Sequence, residues 1–115
     1  KIDPYEMFDL VAHGDRTKLK KPSPEIYEWT LQKLQLPSEA CIAIEDSPRG
    51  LESSNNANIK TIITPSKLTI GESFKEARLV ISDLGEPDKP FNVISGEAFN
   101  HEYVSFELLQ KISES

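Results

Sequence analysis

At 115 residues the chain fits one domain, long enough to bury a core and too short for two. A formal net charge of -6, from 13 Lys and Arg against 19 Asp and Glu, argues against nucleic acid as a partner, because affinity for a phosphate backbone needs a dense cationic surface. No stretch approaches the roughly 18 apolar residues that span a bilayer, and the first residues form no signal peptide, so no membrane association is expected.

The first apolar run, Phe8-Asp9-Leu10-Val11-Ala12, closed by Gly14 and Asp15, reads as a short buried strand and a turn. Arg16, Lys18, Lys20 and Lys21 follow, readable as a solvated loop or as an attraction for an anionic substrate. Ser23 is a fitting N-cap and Pro24 a fitting first helical residue, since proline lacks only an N–H that has no helical partner there. Tyr27, Leu31 and Leu34 then recur at helical spacing, with Ile26 and Thr30 widening the stripe, and Leu36-Pro37 ends the helix.

Cys41-Ile42-Ala43-Ile44 is continuously apolar, which predicts a central strand covered on both faces by helices. Cys41, the lone cysteine, cannot form an internal disulfide and reads as a buried thiol in a reducing compartment. Ser47 and Pro48 repeat the cap pattern and start a second helix running to about Ala57. Its interior holds Gly50, Ser53, Ser54, Asn55 and Asn56, poor helix formers, so packing through Leu51 and Ala57 has to hold it.

Thr61-Ile62-Ile63-Thr64 and Leu79-Val80-Ile81-Ser82 are the next strands, with a short helix expected between them over 72–77. Strands alternating with helices at this spacing specify a parallel α/β sheet. Residues 84–100 carry Gly85, Pro87, Pro90 and Gly96 and read as surface loop. A closing amphipathic helix presents Val104, Leu108, Leu109 and Ile112 on one face, to cover the sheet edge or dock on a partner.

Ligands in open parallel sheets bind beyond the carboxyl ends of the strands. Glu45-Asp46 stands at such an end, and the N–H groups opening the next helix face the same edge. Two adjacent carboxylates repel, so a cation is the economical neutraliser, and hard oxygen donors favour magnesium. The plainer reading is helix N-terminal charge complementing the dipole. Lys21, held between a strand end and a proline-restricted turn, offers N–H donors to a phosphate and balances the charge of the acids; alone it would read as a solvated lysine.

These strings together resemble the haloacid dehalogenase-like (HAD) phosphohydrolase superfamily. Lys21-Pro22-x-Pro24-x-Ile26-Tyr27 is similar to its third motif and Glu45-Asp46-Ser47-x-x-Gly50 to its fourth, with one helix and one strand between. Residues 72–74, 80–87 and 103–105 are further similar to the CbbY-like branch, which is related to β-phosphoglucomutase and includes plant members. The resemblance implies that Lys21 holds the transferring phosphoryl group, that Asp46 ligates Mg2+ directly and Glu45 directly or through water, and that Ser47 caps the helix and orients Asp46. It implies a phosphatase acting on a small sugar phosphate or bisphosphate through an aspartyl-phosphate, in the cytoplasm or, for a plant-type member, the plastid stroma.

No Asp-x-Asp occurs among Asp3, Asp9, Asp15, Asp46, Asp83 and Asp88, so the family's nucleophile is expected to precede Lys1, with the cap. The chain is thus expected to be one incomplete domain over 1–115, the C-terminal portion of a HAD-type Rossmann-like core, with 84–115 as loop and terminal helix. In the family's strand order, 3-2-1-4-5, the strands at Phe8 and Cys41 are separated by two strands that this chain lacks. Unpaired parallel strands are costly, so a missing N-terminal segment or a swapped copy is expected to complete the sheet, and the chain alone is expected to be inactive. Two alternatives stay open: a sugar phosphomutase of the same family, and a non-catalytic fragment that binds metal or a protein. A receiver-type signalling domain does not fit, because its acids precede its Lys-Pro pair.

Overall fold

The computed structural model describes residues 24–115; the strand expected at 8–12, the basic stretch and Lys21 lie outside them. The described chain runs α1 (Glu25–Leu34), a 3-10 turn (Ser38–Ala40), β1 (Ile42–Glu45), α2 (Pro48–Asn56), β2 (Lys60–Ile63), β3 (Leu79–Ile81), β4 (Val93–Gly96) and α3 (Phe106–Glu114). The strands form one sheet in the order β1-β2-β3-β4. β1, β2 and β3 are parallel, and β4 returns antiparallel to β3 with a register shift at Val80/Ile81. This is the expected α/β fold with a mostly parallel sheet.

Both faces of the parallel part of the sheet are covered, as the unbroken apolar runs require. On one face Cys41, Ala43, Ala57 and Ile59 pack with Ile26 and Tyr27 of α1. On the other, Ile42, Ile62, Leu79 and Ile81 pack with Leu108, Leu109 and Ile112 of α3. Among the described residues β1 stands at one end of the strand order, with β2 beside it.

The poor helix former α2 holds because its small residues let it approach the sheet. Ser53 and Ser54 are wholly buried, and Ser54 Oγ lies 2.6 Å from Thr61 Oγ1 on β2 while donating to Leu51 O at 3.0 Å. Serine thereby satisfies its hydroxyl without lengthening the gap. Ser47 is the N-cap, its side chain accepting from Gly50 N at 3.1 Å, with Pro48 in the first turn. Ser47→Ala should cost about 1 kcal/mol, read as a lower urea midpoint with an unchanged slope.

Five expectations are corrected. Pro24, with φ -74°, occupies the N-cap position of α1 and Glu25 is the first helical residue, one step later than expected. The helix ends at Leu34 because Gln35 turns left-handed, φ 57°, before Leu36-Pro37 is reached. Residues 72–77 form turns and no helix; the single bonds Glu72 N to Thr69 O and Ala77 N to Phe74 O close separate turns, and buried Phe74 anchors the segment on Leu51, Ile63 and Val80.

The region read as surface loop over 84–100 contains β4, with Phe91 and Ala98 buried beside it. Its four residues are all exposed, so no buried-face alternation marks them. Finally, α3 covers a sheet face, not the edge, and starts after Val104: Ser105 caps it by accepting from Leu108 N at 3.1 Å. Val104 still packs on the same cluster.

Candidate functional site

Because β1, β2 and β3 are parallel, their carboxyl ends share one edge, where Glu45 ends β1. Thr64 N donates to Glu45 O at 2.9 Å, extending the pairing of β1 with β2 to its last residue. Glu45 is the last residue of β1 and Asp46 the first of the turn that follows, and the two acids differ in surroundings. Glu45 is buried, 7% exposed, whereas Asp46 is exposed.

The Glu45 carboxylate points into the interior, where the Tyr27 hydroxyl of α1 donates to Oε2. Its other oxygen fills the space beside Gly50: a Cβ at that position would overlap Oε1 and stand 2.6 Å from Cδ. Gly50 is therefore required by close approach of a side chain rather than by its own backbone angles. The Tyr27 phenol is held protonated far above its ordinary range, first by burial, then by the negative charge of Glu45 and the bond to it.

Asp46 sits on the turn between β1 and α2. Its carbonyl accepts from Thr69 Oγ1 at 2.6 Å, and the next residue, Ser47, is the helix cap. Its carboxylate thus stands open at the strand edge, next to the positive end of α2. Cys41, buried at the amino side of β1, has its thiol pushed up to about 11 by desolvation, which suits packing and not nucleophilic chemistry.

Of the expected site residues, the structure brings Glu45, Asp46 and Ser47 together on one turn and sends the two carboxylates to different environments; Lys21 lies outside the described residues. No group of three or more His, Cys, Asp and Glu among the described residues could hold a metal ion. As hard oxygen donors Glu45 and Asp46 suit magnesium in kind, and with one carboxylate open they form part of a donor set that others must complete. A groove on α2 lined by Pro48, Leu51, Glu52, Asn55, Ser73 and Lys75 includes neither acid.

The sequence pattern placed Tyr27 in an apolar stripe and in the third motif, and assigned no part to Thr69. The one available signal was Gly50, a glycine in the first turns of a helix that it weakens.

Comparison with known proteins assigns the family. The family pattern described as haloacid dehalogenase-like hydrolase matches residues 1–64. The protein CbbY of Rhodobacter capsulatus is 43% identical over 79 residues, 69% of this chain and 35% of its own length. A phosphorylated carbohydrates phosphatase of Thermotoga maritima is 34% identical, over 82% of this chain and 43% of its own length.

The crystal structure of a mutant CbbY from Rhodobacter sphaeroides in complex with xylulose-1,5-bisphosphate is 38% identical, with a TM-score of 0.59 over 63% of this chain and 32% of that one. The chain therefore spans about a third to two fifths of the length of these relatives. With the family pattern covering more than half of its residues, the chain belongs to the haloacid dehalogenase-like hydrolases, in their CbbY-like branch.

Proposed function

We propose that this chain serves a magnesium-dependent phosphatase acting on a small sugar phosphate or bisphosphate, and that it supplies the Lys21, Glu45 and Asp46 side of the site. The observation that carries the reading is the open carboxylate of Asp46 at the carboxyl edge of a parallel sheet, beside the cap of α2. Two relatives support the substrate class: a phosphorylated carbohydrates phosphatase and a CbbY whose structure holds xylulose-1,5-bisphosphate.

In this reading the Lys21 ammonium donates to the oxygens of the transferring phosphoryl group and offsets its charge. Asp46 would ligate the metal; Glu45, its carboxylate facing Tyr27 and Gly50 from the interior, would reach it through water or, on leaving Tyr27, directly; and Ser47 keeps Asp46 in orientation by capping the turn. Bound magnesium supplies charge neutralisation for the phosphoryl oxygens. An aspartate oxygen attacks phosphorus, the ester P–O bond breaks, and the sugar hydroxyl leaves with a proton; water then releases inorganic phosphate from the aspartyl-phosphate.

No Asp-x-Asp is present in the 115 residues, so the nucleophile lies outside this chain and the chain alone is inactive. The test compares the full-length protein and the 115-residue chain on a sugar bisphosphate with magnesium. Inorganic phosphate released by the full-length protein alone supports the proposal. Transfer to a second hydroxyl without release identifies a mutase, and turnover by the short chain overturns the placement of the nucleophile.

A further inference from the structure

The Asp46 side chain is exposed at the strand edge, yet its backbone lies in a stretch pinned at three successive positions. Glu45 O accepts from Thr64 N at 2.9 Å, Asp46 O accepts from Thr69 Oγ1 at 2.6 Å, and Ser47 O accepts from Leu51 N at 3.0 Å. The first and last belong to the sheet and the helix and would exist in any strand-to-helix turn. The middle one comes from a side chain on a separate loop, 23 residues further along.

That hydroxyl is itself fixed. Ser66 N donates to Thr69 Oγ1 at 2.9 Å, so a lone pair of the threonine oxygen is taken, and its proton is directed to the Asp46 carbonyl. Ser66 Oγ lies 3.1 Å from the same oxygen, Leu68 N donates to Ser66 Oγ at 3.2 Å, and Thr69 N donates to Ser66 O at 3.1 Å. The turn is locked on itself while Leu68 at its tip is 92% exposed. Apolar packing of that tip therefore does not hold the turn in place; the polar bonds do.

We propose that Thr69 is a positioning residue for Asp46, its hydroxyl setting the peptide plane that aims the carboxylate at the metal. The inference rests on the reading of Asp46 as a metal donor. A threonine that orients a ligand through the ligand's backbone affects affinity in the manner of other outer-shell partners, whose loss weakens metal binding about 10- to 100-fold.

The experiment is magnesium titration by calorimetry on the full-length protein, with melting temperatures recorded without magnesium. Thr69→Val, which keeps the shape and removes the hydroxyl, is expected to weaken magnesium binding about tenfold. Thr69→Ser should stay within about twofold of the wild type, well inside the loss expected on removing an outer-shell partner, and Leu68→Ala should match the wild type. Thr69→Val binding as tightly as the wild type overturns the inference, as does an equal loss in Leu68→Ala, which would assign the effect to the loop in general. Should Thr69→Val fail to fold, Ser66→Ala replaces it: weaker binding supports the role, and unchanged binding removes it. A wild type that binds no magnesium overturns the metal reading itself, a result distinct from unchanged affinity in the variants.

Discussion

Asp46→Asn is expected to lower magnesium-dependent phosphate release by the full-length protein on the order of 10^2- to 10^3-fold, equivalent to about 3–4 kcal/mol of transition-state stabilisation. Asn keeps the volume and the exposed position of Asp46 but withdraws a unit of negative charge from the cation. Since the side chain is not part of the core, the urea midpoint should stay within experimental error of the wild type. Steady-state kinetics over a magnesium series check the result: the activity should be only partly restored at high magnesium. Full activity at ordinary magnesium would place the metal elsewhere.

Gly50→Ala should destabilise the protein by about 2–4 kcal/mol, although alanine is favoured over glycine by about 1 kcal/mol within a helix. The new methyl would overlap Glu45 Oε1 and stand 2.6 Å from Cδ, and the carboxylate has no free direction to yield because Tyr27 holds its other oxygen. Moving it forfeits a hydrogen bond to a charged group, about 1.5–3 kcal/mol, and overpacks the space under α2, about 1–3 kcal/mol. Urea unfolding measures the loss; a neutral or stabilising substitution would show that Glu45 is not fixed there.

The same locus governs alkaline stability. An unfolded tyrosine releases its proton near pH 10, whereas buried Tyr27 keeps it, so the native state holds more protons and stability falls as pH rises beyond about 10, by up to about 1.4 kcal/mol per unit. Below that pH the contribution is fully present. Tyr27→Phe should flatten this limb while costing about 1–3 kcal/mol at neutral pH through the lost donor; urea midpoints measured across an alkaline pH series check both effects.

Much of the fold was legible because its strands are short apolar runs and its caps are chemically distinct. Ser47-Pro48 marked the start of α2, and the unbroken run through Ile44 marked burial on both faces. β4 escaped because Val93-Ile94-Ser95-Gly96, all exposed, shows neither the alternation of a half-buried strand nor the apolar run of a buried one. The turns at 72–77 were misread because Phe74 is apolar at a helix-compatible position while the backbone bonds serve separate turns.

At the candidate site, adjacency in sequence gave Glu45 and Asp46 but not their unlike surroundings. Those depend on Tyr27, 18 residues earlier than Glu45, and on Thr69, 23 residues later than Asp46. Such partners are set by topology, and no local periodicity reports them.

The reversal of direction at β4 has a bearing on solubility. A flat parallel ladder left open at its flank is a template on which other molecules can add rungs. Here the flank is a four-residue strand with Gly96 at φ 92° and a register irregularity opposite Val80 and Ile81, a short and uneven rim that gives an incoming strand little to match. On that side the sheet ends in a short, irregular strand, one of the devices by which edge strands are kept from pairing with further chains.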